Sequence, residues 1–96
     1  MFKDVIDLIS IVNTVDEGGD TVQVETSRQV YANKKSIKQS EFYQALTAGL
    51  RPEVTFVIHS FEYEQERKLT YETKPYNIIR TFEKGDFIEL ICEAVV

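Results

Sequence analysis

The chain has 96 residues, 43% of them hydrophobic and 28% charged, which describes one ordinary globular domain with a modest core. A net charge of −5 argues against a general binder of DNA or anionic membrane. No apolar run reaches the ~18 residues that span a bilayer, and a single cysteine, Cys92, excludes an intrachain disulfide and fits a reducing compartment.

In chain order, "MFKDVIDLIS" carries acids and no small-residue cleavage site, so it does not read as a signal peptide. Val5 to Val15 is rich in Val and Ile and predicts a strand. "DEGGD" at 16–20 predicts a hairpin, with Gly18 and Gly19 supplying positive φ. Thr21 to Tyr31 resumes a strand; Val22 and Val24 alternate with Gln23 and Glu25, so one face is wet. Val54 to Phe61 predicts the next strand, with Val54, Phe56 and Ile58 on one face. Leu69 and Tyr71 share a face of a short strand, and Pro75 is tolerated where the following one, to Phe82, begins. The last strand spans Phe87 to Val95, with Ile88, Leu90 and Cys92 on one face and Glu89 and Glu93 on the other. The expected fold is therefore mainly β: a single domain over 1–96, a small antiparallel barrel or sandwich of about six strands.

One short helix interrupts this pattern, in "SIKQSEFYQALTAGLRPE". Ser40 suits an N-cap, with Glu41 in the first turn; Ser36 with Gln39 is a competing capping box four residues earlier. Gly49 suits a left-handed stop, and Pro52 blocks continuation. Phe42, Ala45, Leu46 and Gly49 form a narrow stripe at helical spacing. So short a helix is marginal alone and needs a docking surface on its own barrel or on another chain.

The charge is unevenly spread. From Arg28 to Arg51 five bases (Arg28, Lys34, Lys35, Lys38, Arg51) face one acid, Glu41, a balance of +4; the remainder holds six bases and fifteen acids, −9. A solvated loop accounts for this, and so does a segment that meets an anionic partner. Tyr31, Phe42 and Tyr43 lie among Lys34, Lys35 and Lys38, but Phe42 is on the apolar stripe, so phosphate contact by the lysines needs less than base readout does.

Nothing in the chain forms a catalytic signature. His59 is the only histidine and lies in a strand; with Cys92 it reads as ordinary packing rather than as a nucleophile and base. One Cys and one His do not make a zinc site. Glu62, Glu64 and Glu66 read as a solvated hairpin edge rather than a calcium loop. No enzyme, cofactor or metal is expected.

The blocks "SEFYQA" at 40–45, "GLRPE" at 49–53, "YNIIRTF" at 76–82 and "FIELICE" at 87–93 resemble the tailed-phage head-closure family, also called head–tail joining or adaptor proteins. The resemblance covers residues 30–93; the first thirty residues match only in length and strand character. It implies a small barrel with a helix inserted in a long connection, here 32–53. It also implies a virion or prophage protein, present in the host cytoplasm during assembly. The subunit would form a homo-oligomeric ring between a portal or adaptor ring above and a tail protein below, closing the DNA-filled head. Lys34, Lys35 and Lys38 are then candidates to face the DNA channel, in transient non-specific contact with packaged DNA. Phe42, Tyr43, Leu46, Leu50 and Arg51 are candidates for subunit contact or docking. A ring of one subunit needs two different contact surfaces on each copy. The alternative is a free-standing small-barrel module that binds nucleic acid or a peptide.

Overall fold

The computed structural model describes residues 2–95. Strands β1 (Asp4–Val15), β2 (Thr21–Lys35), β3 (Val54–His59), β4 (Lys68–Tyr71), β5 (Lys74–Lys84) and β6 (Phe87–Ala94) are joined by helix α1 (Gln39–Thr47) between β2 and β3. A single 3₁₀ turn (Ser60–Glu62) follows β3. The strands pair antiparallel in the order β1-β2-β3-β6-β5-β4 and close into a barrel, as the alternation predicts.

Closure follows from which side chains are apolar on alternate positions. Ile6 and Leu8 of β1, Val30 and Ala32 of β2, Val54, Phe56 and Ile58 of β3, Leu69 of β4, Tyr76 of β5, and Ile88, Leu90 and Cys92 of β6 form the core. Each strand contributes its inward face, so the barrel removes most sheet edges from water. Phe56 is the largest fully buried side chain. Its ring meets those of Tyr71 and Tyr76 at centroid distances of 5.0 and 6.0 Å.

The turns show where local chemistry decides. At 16–20 only Gly19 takes a positive φ (85°); the wider turn is held by Asp16, whose Oδ1 accepts from the amides of Gly18 (2.9 Å) and Asp20 (2.8 Å). The two-glycine tight turn expected from sequence is thus replaced by an aspartate-nucleated one. Between β4 and β5, Glu72 (φ 49°) and Thr73 (φ 65°) occupy the left-handed region without glycine, and the β-branched Thr73 is the more strained of the two. Ile79 is an extra residue in β5, between the pairs Ile78↔Cys92 and Arg80↔Ile91. Such a bulge re-aims the strand.

Strand β3 ends at His59 rather than Phe61, where the 3₁₀ turn takes over, and β5 runs on to Lys84 rather than ending at Phe82. Two further features depart from the sequence reading. First, β2 runs on to Lys35, pairing Asn33, Lys34 and Lys35 with Val57, Phe56 and Thr55. Second, neither Ser40 nor Ser36 caps α1. The N-cap is Lys38, with no side-chain cap hydrogen bond, and its carbonyl accepts from the Phe42 amide at 3.0 Å. The first turn is exposed apart from half-buried Glu41, so water can satisfy its free amides and no hydroxyl is required. The stop signal at Gly49 (φ 78°) behaves as expected: Gly49 N–H donates to Leu46 O and Leu50 N–H to Ala45 O, both at 3.0 Å.

The molecule is elongated, 50 × 33 × 25 Å. The cause is the β1–β2 hairpin: β1 pairs with β4 only as far as Ile9↔Lys68, and β2 meets β3 only from Asn33 onward. Beyond those points the two strands pair only with each other and project as an arm.

Candidate functional site

Three regions carry the exposed chemistry of the described residues: the helix-bearing end, the root of the arm and an aromatic surface around His59. At the helix-bearing end, Lys34 and Lys35 are successive strand residues and so point to opposite sides of the sheet. Lys34 Nζ lies 5.5 Å from the centre of the Tyr71 ring, and its amide donates to Asp4 Oδ2 at 2.9 Å. Tyr71 Oη donates to Asp4 Oδ1 at 3.1 Å, so Asp4 ties β1, β2 and β4 together at the barrel rim. Lys35 Nζ sits 3.5 Å from Glu89 Oε2. Lys38 lines a groove with Glu41, Phe82, Lys84 and the same Glu89. The lysines therefore divide in two: Lys35 and Lys38 adjoin at Glu89, while Lys34 is apart from them over Tyr71.

The docking residues also divide. Leu50 is half-buried and Pro52 buried; with Ala45, Ala48 and the aliphatic part of the α1 face they line a gap over Ile79, Arg80 and Ile91 on the outside of β5 and β6. Ile91 and Thr55, on that outer surface, are 3% and 4% exposed, so the segment after the helix covers them. Phe42 is half-buried, whereas Tyr43 is 57% and Leu46 38% exposed. Arg51 is exposed. A gap thus lies between Ala45, Ala48 and Leu50 and the outer face of β5 and β6, and Tyr43 and Leu46 are left to solvent. No residue of α1 is buried.

At the arm root, the sequence reading of a solvated glutamate edge is corrected. Glu66 is 5% exposed. Its Oε2 accepts from Arg28 Nη2 at 2.8 Å and its Oε1 from the Glu64 amide at 2.8 Å. Arg28 also donates to the Glu62 carbonyl and lies 3.8 Å from Glu64 Oε2. The Tyr63 hydroxyl donates to the Glu66 carbonyl at 2.6 Å, and Gln65 holds a positive φ of 66° to make the wrap possible. A charge this deep needs a paired partner and further hydrogen bonds, and the loop after β3 supplies both. Glu64 and Gln65 are exposed, so only part of the run is solvated. The sequence signal was weak: three alternating glutamates and an arginine 38 residues before Glu66.

A third surface is aromatic. His59 sits among Phe2, Phe61 and Phe87, with centroid distances of 4.7, 5.4 and 5.3 Å, beside a shallow depression lined also by Asn33 and Val57. Cys92 pairs in register with Val54, five residues from His59, and faces the core while His59 faces outward. The two are not brought together. Among the described residues no group of three His, Cys, Asp or Glu side chains is placed to hold a metal. No helix is long and apolar enough to cross a membrane.

Burial pushes the Cys92 thiol up to about 12 and raises the Tyr63 hydroxyl, to which the Glu66 charge adds. Both groups are protonated more firmly folded than unfolded, so their contribution is complete below the unfolded pKa, near 9 for the thiol, and is lost as pH rises through the folded value. Melting temperature is expected to fall from about pH 9 upward, and Cys92→Ala is expected to flatten that fall. At pH 8 iodoacetamide should leave native Cys92 unmodified and alkylate it fully in urea. Rapid alkylation of the native chain would contradict this assignment. Next to Val54, Lys74 Nζ donates to Glu53 Oε2 at 3.0 Å, holding that carboxyl below its usual range in solvent.

The comparisons with known proteins agree with this architecture. The family described as phage head completion protein matches residues 1–95. The solution structure of protein SF1141 from Shigella flexneri 2a superimposes with a TM-score of 0.71 at 15% identity, over 97% of this chain and 92% of that one, which is a likeness of fold. No curated protein matches the chain.

Proposed function

From the premise that this chain belongs to the phage head completion protein family, we propose that it is a ring subunit of the head–tail connector, closing the DNA-filled head below the portal or adaptor ring and presenting a surface to the tail. The observation that carries the reading is the family match over 95 residues, from one end of the described barrel to the other. The exposed surfaces suit it. A closed ring of one subunit needs two different complementary faces on each copy, and this molecule has an exposed arm at one end and an incompletely covered helix at the other. On this reading the protein resides in the virion after assembly in the host cytoplasm.

Lys34, Lys35 and Lys38 remain the proposed points of contact with packaged DNA. Their dispersal, with Lys35 held by Glu89 and Lys34 over Tyr71, favours weak and non-specific contact. That suits a channel through which DNA must later pass. The same dispersal gives less support to the free-standing nucleic-acid module, which needs a continuous basic groove with stacking platforms.

Deleting the gene from a phage that carries it tests the proposal. Electron microscopy should show heads that have lost their DNA and free tails, with infectivity restored by supplying the protein in trans. Normal DNA-filled, tailed and infectious particles from the deletion would overturn it.

A further inference from the structure

The arm of β1 and β2 is unusual for a protein surface. Every residue from Ile11 to Ser27 is exposed, including Ile11 (47%), Val12 (49%), Val15 (71%), Val22 (42%) and Val24 (43%). Val12 lies opposite Val24, and Thr14 opposite Val22, so one face of the ribbon is a row of β-branched side chains. The outer edge of β1 from Ser10 to Val15, "SIVNTV", has neither a charge nor a proline, the two usual protections of an exposed edge. Two strands alone are marginally stable in water. An arm of this composition is built to be covered.

Its charge says by what. Between Ser10 and Ser27 there are four acids, Asp16, Glu17, Asp20 and Glu25, and no base. A surface with two lysines is on the same chain, across the barrel: β5 is three strands from β2 in the closed order. The groove between α1 and β5, of about 300 Å³, is lined by Lys38, Glu41, Phe82, Lys84 and Glu89. Glu89 is engaged by Lys35. Neither Lys38 nor Lys84 makes an ion pair among the described residues. Phe82, 53% exposed, is the apolar side chain that lines it.

The arm cannot reach its own groove. From Thr21 at the tip to Lys35, just before the helix, β2 runs the length of the molecule, about 45 Å at the usual strand rise. An arm that projects beyond its own barrel can meet a groove on the far side of that barrel only in another copy, and two different surfaces give a head-to-tail contact of the kind that closes rings by rotation. We infer that the acidic tip and valine face of the β1–β2 arm of one copy dock in the α1–β5 groove of a second copy. This contact needs only a second copy of the chain; it rests on the ring reading for its place in the particle.

Charge exchange tests it. Asp16 is left alone because it holds the turn; the arm variant is Glu17→Lys with Asp20→Lys, and the groove variant is Lys38→Glu with Lys84→Glu. In sedimentation velocity the wild-type chain should associate as concentration rises, and each variant alone should associate at least about tenfold more weakly, since like charges now meet. A 1:1 mixture should recover association, because the lysine arm meets the glutamate groove while the wild-type arm meets the wild-type groove. Variants that associate like wild type, or a mixture that does not recover, would overturn the contact. A wild-type chain that stays monomeric at every concentration also overturns it and assigns the arm to a different protein. An arm variant that completes heads normally removes the arm contact and leaves the ring reading intact, whereas infectious particles without the protein remove the ring reading.

Discussion

Phe56→Ala is expected to destabilise the barrel by about 3–5 kcal/mol and to lower Tm by roughly 15–30 °C. Phe56 is fully buried in β3, with Leu90 of β6 and Lys34 of β2 as its register partners and the Tyr71 and Tyr76 rings across the interior. Its ring therefore touches side chains from both halves of the barrel. Removing it forfeits the transfer of a large apolar group and leaves a cavity that rigid, hydrogen-bonded strands cannot close. A domain of this size has a total stability of about 5–15 kcal/mol, so a large share is lost. Phe56→Leu keeps most of the volume and should lose less than about 1.5–2 kcal/mol. Thermal and urea unfolding measure both. A loss below about 1 kcal/mol for the alanine variant would show that the barrel centre is not where its packing energy lies.

The second large effect concerns the arm root. Arg28→Ala is expected to destabilise the protein by about 3 kcal/mol. The reason is less the lost attraction than what remains: Glu66, at 5% exposure, would keep only the Glu64 amide as a donor. Arg28 is itself 37% exposed in its side chain, which places the effect at the lower end for buried pairs. Arg28→Lys retains the charge but loses the forked geometry that reaches both Glu66 and the Glu62 carbonyl, so it should fall between. Replacing both partners, Arg28→Met with Glu66→Leu, should destabilise by less than the sum of the single changes, because no charge is then left unpaired. Additive losses in that double-mutant cycle would mean that the pair is not coupled. The exchange of arm amides should rise in Arg28→Ala, since Arg28 anchors β2 to the loop after β3 where the ribbon leaves the barrel.

Most of the barrel could be read from alternation. Val54, Phe56 and Ile58, or Ile88, Leu90 and Cys92, recur at every second position, and a period of two admits few structures other than a half-buried strand. Gly49 as the helix stop was equally legible, because a positive φ is chemistry that the residue itself dictates. The helix start was not. Ser40 and Ser36 are both competent caps, yet an exposed first turn has water available and uses neither.

The candidate site was legible only in parts. The basic balance of 28–51 was visible in the residues, but not that Arg28 turns to Glu66, Lys35 to Glu89 and Lys34 to Tyr71. Those partners lie 37 to 54 positions away in sequence, and only barrel closure makes them neighbours. The valines of β1 and β2 illustrate the same limit. Ile6, Leu8, Val12 and Val24 have one character in the sequence, but the first two are buried and the last two exposed. What separates them is where β4 and β3 stop pairing, at Lys68 and Val57.

Local composition by itself determined the strand class, the barrel's inward residues, the helix stop and the uneven charge, because each depends on a residue's own conformational preference or on a period along the chain. Tertiary structure alone decided the length of the arm, the burial of Glu66, the division of the lysines between Tyr71 and Glu89 and the separation of the acidic tip from the α1–β5 groove. These depend on strand register and on where each edge finds a partner, which are properties of the closed sheet and not of any segment within it.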